Sequence, residues 1–239
     1  MSSCSRRATI TALTRPSRPE GAAHEAAGRA RQGSGRVEHW DDAYTRLGPE
    51  GVSWYQSNPA VSLELVGRLG IPRDAAVIDV GGGASLFVDR LLEGGYSDVT
   101  VLDVSAAALD AARRRLEGNP AVTWEQADVL AWQPVRRYLL WHDRAVFHFL
   151  VDPMEREGYL RVLQRALAPS GHVVLATFAP DGPQECSGLP VARYSPEDLL
   201  TALGGGFAEV ESTWEAHRTP GGGLQPFTWI VARALPPIA

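Results

Sequence analysis

The chain has 239 residues, 44% of them hydrophobic, and a formal net charge of −5. This suits one well-buried α/β domain, with no apolar run near the roughly 20 residues of a membrane span and with two cysteines, Cys4 and Cys186, that provide neither a disulfide framework nor a cysteine-based zinc site. The charge is uneven: residues 1–36 hold seven Arg against Glu20 and Glu25, a net of +5, which leaves −10 on residues 37–239, a poor match to a nucleic-acid backbone.

Residues 1–36 are rich in Arg, Ser, Ala, Gly and Pro and lack an apolar face, so a disordered extension is expected. Pro16 and Pro19 interrupt any amphipathic helix there, and the two acids spoil a transit-peptide composition. The domain is expected to run from residue 37 to 239. Arg36–Tyr44 and Pro59–Leu69 read as helices, with Asn58 as N-cap and Pro59 at the first helical position. Strands follow near 75–80, 98–103, 121–126, 138–142 and 171–178, and helices near 85–94, 105–117, 153–167 and 195–203. Strands separated by helical patterns of this length imply a doubly wound parallel sheet. Ala208–Ala216 and Phe227–Ala234 flank Thr219-Pro220-Gly221-Gly222-Gly223 and read as a closing antiparallel hairpin.

The most specific segment is Val77-Ile78-Asp79-Val80-Gly81-Gly82-Gly83-Ala84-Ser85. It reads as a strand, a tight turn and a helix start, and its glycines let the backbone approach a ligand closely. Asp103 ends the next strand about 20 residues on, where an acid can accept both hydroxyls of a ribose. A nucleoside-containing cofactor is expected. A dinucleotide fit is poorer, because Leu86 stands where a third glycine would, and Asp79 would repel a pyrophosphate while suiting an ammonium or sulfonium.

Asp79, the glycines and Asp103 together resemble the D-x-G-x-G-x-S motif of class I S-adenosylmethionine-dependent methyltransferases. The resemblance extends over about residues 37–235 and is nearest to the branch that methylates lysines of elongation factor 1A and citrate synthase. It implies a Rossmann-like seven-stranded sheet and S-adenosylmethionine held by Asp79, Gly81, Gly82, Gly83 and Leu86 in the loop. Asp103 and Val104 would take the ribose side, and Asp128 and Val129 the adenine. The His142-Asp143-Arg144-Ala145-Val146 segment looks like that branch's D-K-G-T region, with Asp143 matching the acid and Arg144-Ala145-Val146 departing from Lys-Gly-Thr. Asp143 or His142 is therefore expected to orient or deprotonate an amine or thiol on a small molecule or protein lysine.

Trp40, Tyr44 and Trp54 resemble the branch's aromatic start. They lie over the sulfonium, as aromatic faces favour cations, or else Trp40 and Tyr44, spaced i and i+4, simply pack their helix onto the domain. Cys186 falls in a long irregular loop after the fifth strand and reads as packing, and two histidines without a third ligand make no metal site. The expectation is a cytoplasmic, monomeric enzyme without nucleic-acid or membrane partners. Two alternatives are a non-catalytic S-adenosylmethionine-binding module and a nicotinamide-dependent reductase.

Overall fold

The structure, a computed structural model, describes residues 35–236. A compact unit begins at Arg36; the expectation of a disordered extension otherwise lies outside the described residues. Helix α1 covers residues 35–47. It is followed by α2 (Ala60–Arg68), β1 (Val77–Val80), α3 (Phe87–Glu93), β2 (Val99–Asp103), α4 (Ala106–Arg115), β3 (Val122–Gln126) and β4 (Tyr138–Arg144). Then come a short 3-10 turn (Phe147–Phe149), α5 (Pro153–Ala166), β5 (Leu167–Phe178), the two-residue strands β6 (Glu185–Cys186) and β7 (Leu189–Pro190), α6 (Pro196–Leu203), β8 (Phe207–Arg218) and β9 (Leu224–Ala234).

Seven strands form one sheet in the order β3-β2-β1-β4-β5-β9-β8. The pairs from β3 to β5 are parallel, and β9 runs antiparallel to both β5 and β8. This is the expected parallel sheet closed by a hairpin. Its order reverses between β1 and β4, and such a switch point leaves a crevice at the carboxyl ends of the strands.

The strands of the centre are buried on both faces, as parallel strands covered by helices must be; every residue of β1 and β2 is buried. Side chains alternate between two cores. Val77, Val99, Val101 and Leu140 pack toward α2, α3 and α4. Ile78, Val80, Leu102 and Trp141 pack toward α5 and α6, against Tyr159, Val162 and Leu199. Removing a large side chain from either core costs about 3–5 kcal/mol.

Side-chain caps fix the helix starts. Ser105 accepts from the Ala108 amide at 3.1 Å and caps α4. Asp152 and Ser195 cap α5 and α6 ahead of Pro153 and Pro196. Helix α1 supplies a second cap to α4: Asp41 Oδ1 accepts from Ser105 Oγ at 2.6 Å and from the Ala107 amide at 3.1 Å. A carboxylate here also favours the positive end of the helix dipole, and it brings α1 to the mouth of the crevice. Two local expectations are corrected. The N-cap of α2 is Pro59, not Asn58, and no side chain caps it. The loop after β5 is not irregular throughout: β6 and β7 pair across it.

Candidate active site

A cleft of about 850 Å³ opens at the carboxyl ends of β1, β2 and β4, with a second cavity of about 530 Å³ beside it. Val80, Gly81, Asp103, Val104, Asp128 and Val129 line the first, together with Trp40, Tyr44 and Trp54. Asp79, Gly82 and His142 line the second, which shares Tyr44, Trp54, Val80, Gly81 and Arg144 with the first. Most expected cofactor residues thus converge on two adjoining cavities. Leu86 lines neither; it stands at the start of α3 as its N-cap residue.

The loop geometry explains the glycines. Gly81 has φ +68° and Gly83 φ +46°, conformations that side chains resist. A Cβ on Gly81 would meet Val146, which lines the larger cavity, and one on Gly82 would meet the Asp79 carboxylate. A Cβ on Gly83, which lines neither cavity, would lie 2.8 Å from Asp103 Oδ2 and 3.0 Å from the Tyr44 hydroxyl. Gly83 therefore keeps space for the acid and the phenol.

Asp103 is buried, and its Oδ1 accepts from the Ser105 amide at 2.8 Å. Burial pushes its carboxyl up to about 7, partly countered by that amide and reinforced by the neighbouring Asp79. Asp79 Oδ1 accepts from His142 Nδ1 at 2.7 Å, and Nε2 lies 3.0 Å from Ser62 Oγ. Asp79 Oδ2 is buried without a hydrogen-bond partner among the described residues. That oxygen is left with its accepting capacity unused.

Asp128 is held rather than open. Its Oδ2 accepts from Arg36 Nη1 at 2.9 Å and its Oδ1 from the Leu130 amide at 2.9 Å. Arg36 also pairs with Glu155. Arg36 is a wall of the cleft that no local pattern announces, since 92 residues separate it from Asp128. Trp40, Tyr44 and Trp54 form an aromatic cluster beside α1. They line the cleft, and they pack edge to face, with Trp40 5.4 Å from Trp54 and 5.0 Å from Phe149 between ring centroids.

The two expected catalytic residues occupy different surroundings. His142 and Asp143 are consecutive on β4, so their side chains point to opposite faces of the sheet. His142 stacks on Phe87 at 4.1 Å with both ring nitrogens engaged. Asp143 lies under α5, fully buried, and lines neither cavity. It accepts from the amides of Val146 (2.8 Å) and Phe147 (3.2 Å) and from the Tyr159 hydroxyl (2.5 Å). Burial raises it to about 6 against these bonds. Asp143 thus folds the turn after β4 and lies away from both cavities. Cys186 lines the cleft, with its thiol pushed up to about 11 by burial, which suits packing and not nucleophilic attack. Among the described residues no cluster of three His, Cys, Asp or Glu could hold a metal ion.

No described helix is long and apolar enough to cross a membrane. Residues 77–171 match the family model for a methyltransferase domain. EEF1A lysine methyltransferase 2 of Homo sapiens is 31% identical over 193 residues, covering 74% of this chain and 76% of that protein. Trans-aconitate 2-methyltransferase of Acidovorax ebreus (strain TPSY) is 35% identical over 147 residues, or 61% of this chain, and the chain spans only about half (51%) of that relative. Among solved structures, the N-methyltransferase NodS from Bradyrhizobium japonicum WM9, in complex with S-adenosyl-L-homocysteine, has the same fold. It superposes with a TM-score of 0.63 at 19% identity, over 82% of this chain and 98% of that one.

Proposed function

The chain belongs to the class I S-adenosylmethionine-dependent methyltransferase family, and from that membership we propose that it transfers a methyl group from S-adenosylmethionine to an amine or thiol, on a small molecule or a protein lysine. One observation carries the reading of the site: Asp79, Asp103 and Asp128, from three successive β-strand ends, line adjoining cavities. The cofactor supplies an activated methyl group on a positive sulfur. In this reading Asp103 accepts from the ribose hydroxyls, and Asp128 and Val129 frame the adenine. The unpartnered Asp79 Oδ2 receives the ammonium, held in place by His142 and Ser62. The aromatic cluster of Trp40, Tyr44 and Trp54 excludes water and favours a cation.

Methyl transfer needs alignment of the acceptor with the leaving group more than it needs a protein base. Neither His142 nor Asp143 is open to take a proton from an acceptor. Positioning and dehydration of the acceptor, which arrives with its lone pair available, are the means this cleft offers. The acidic surface of residues 37–239 suits a cationic acceptor better than a nucleic acid, and a cytoplasmic setting completes the proposal.

The test is a methyl-release assay across amines, thiols and lysine peptides. Formation of S-adenosylhomocysteine with one class identifies the acceptor chemistry. Tight cofactor binding with no turnover in any class would make the chain a non-catalytic binding module.

The Asp103 carboxyl gives a pH dependence whose sign can be worked out. An acid raised from about 4 to about 7 by burial holds its proton more firmly in the folded, ligand-free chain. It therefore favours the folded state at low pH and loses that contribution as pH rises through about 7. Ribose hydroxyls donate to the charged form, so ligand binding has the opposite preference. Affinity for S-adenosylhomocysteine is expected to be about tenfold weaker at pH 6 than at pH 8, with uptake of the ligand releasing a proton at pH 6. Calorimetry in buffers of different ionisation enthalpy reads both quantities; a flat profile with no proton release would remove Asp103 from the ribose site.

A further inference from the structure

Arg144, the last residue of β4, is buried where the two cavities meet, and its side chain is 10% exposed. Its bonds do not satisfy it. Nη1 donates to the Trp54 carbonyl at 3.1 Å, and the guanidinium lies 4.4 Å over the Phe227 ring. Nε and Nη2 have no hydrogen-bond partner among the described residues. Glu215 is the nearest acid, yet its Oε2 stays 3.9 Å from Nε, outside hydrogen-bonding distance. Both of its oxygens are already committed, Oε1 to Gln56 Nε2 at 2.6 Å and Oε2 to Trp229 Nε1 at 2.9 Å. Glu215 balances the charge from a distance and leaves the donors unmet.

The other titratable groups around Arg144 add no competing charge. Burial and the neighbouring guanidinium hold His148 down to about 3. Burial also lowers His217, which donates to the Ser53 carbonyl, and keeps Cys186 as a thiol. Leaving donors of a buried cation unpaired is costly. Nε and Nη2 form one edge of the guanidinium fork, whose two parallel N–H groups match the two oxygens of a carboxylate.

Resting on the methyltransferase reading above, we propose that the Nε–Nη2 edge of Arg144 binds a carboxylate of a ligand in the cleft. Two sources share that chemistry: the amino-acid end of the cofactor, and a methyl acceptor that is itself a carboxylic acid. If the acceptor supplies it, the cleft selects acceptors carrying an acid beside the group that is methylated.

Calorimetry on the full chain separates these sources, comparing wild type with Arg144→Met and Arg144→Lys. The probes are S-adenosylhomocysteine and its decarboxylated analogue, which keeps the amine. Melting of the S-adenosylhomocysteine-loaded protein is followed with succinate, and with succinamide as the neutral control. A cofactor source predicts that Arg144→Met binds S-adenosylhomocysteine about tenfold to a hundredfold more weakly, with affinity for the decarboxylated analogue unchanged. An acceptor source predicts S-adenosylhomocysteine affinity within about threefold of wild type. Succinate, but not succinamide, would then raise the melting temperature of wild type and fail to do so in the variant. Arg144→Lys keeps the charge without the paired donors and should show the same loss in smaller measure.

If Arg144→Met does not fold, Arg144→Lys and the wild-type comparison of the two thioethers carry the test. Indifference to the carboxylate in every arm would overturn the proposal while leaving the methyltransferase reading intact. A wild-type chain that binds neither thioether would overturn both.

Discussion

Replacing Asp103 by Ala is expected to weaken S-adenosylhomocysteine binding by about a hundredfold or more, with the fold retained. The carboxylate stands at the end of β2 in the wall of the cleft, and one oxygen is anchored by the Ser105 amide. Its other oxygen lies close to Gly83, and the residue lines the larger cavity. A ribose there would give two hydrogen bonds to a charged acceptor, each worth about 1.5–3 kcal/mol. The fold should tolerate the change because Asp103 is itself strained by burial: its carboxyl rises to about 7. Removing an acid that resists ionisation costs the ligand-free chain little, and Ser105 still caps α4. Equilibrium melting together with calorimetric titration reads both halves of this expectation. An unchanged dissociation constant would remove the second strand from the cofactor site.

Replacing Asp143 by Asn has its expected effect on stability instead of chemistry. Three donors converge on this carboxylate, from Val146, Phe147 and Tyr159, in a fully buried place. An amide offers one oxygen where two are needed, so its NH2 group must face at least one of the donors. Breaking a buried charged network by changing one partner costs about 3–5 kcal/mol, or a fall of roughly 6–20 °C in melting temperature for a domain of this size. Affinity for S-adenosylhomocysteine, measured where the variant is folded, should stay within a few-fold of wild type. Turnover per folded molecule should do the same once an acceptor is in hand. A variant that melts like wild type and has lost turnover would return Asp143 to the reacting groups.

These two acids mark what local sequence conveys and what it does not. The strands near 75–80, 98–103 and 121–126 were legible because apolar β-branched runs alternate with helical patterns. The Asp79 to Asp103 spacing carried the cofactor site for the same reason, since each acid lies at or next to the end of its own strand. Asp143 was legible as the end of β4 but not as a residue under α5; a two-residue period puts it and His142 on opposite faces, and only the packed sheet shows which face meets the cleft. Arg36 reads as part of an Arg-rich extension, and its place beside Asp128 and Glu155 depends on a docking of α1 that no short window contains. Arg144 is similar: its neighbours Trp54, Glu215 and Phe227 come from three distant segments. Long-range pairings of this kind follow from tertiary packing and leave no periodic trace.

The most direct measurement for the cofactor site is a pair of calorimetric titrations of the full chain, with S-adenosylhomocysteine and with NADH. Saturable binding of one S-adenosylhomocysteine per chain, without heat from NADH, is the expected result, because Asp79 stands in the loop mouth where a pyrophosphate would have to lie. Saturable binding of NADH with no response to S-adenosylhomocysteine would contradict the account.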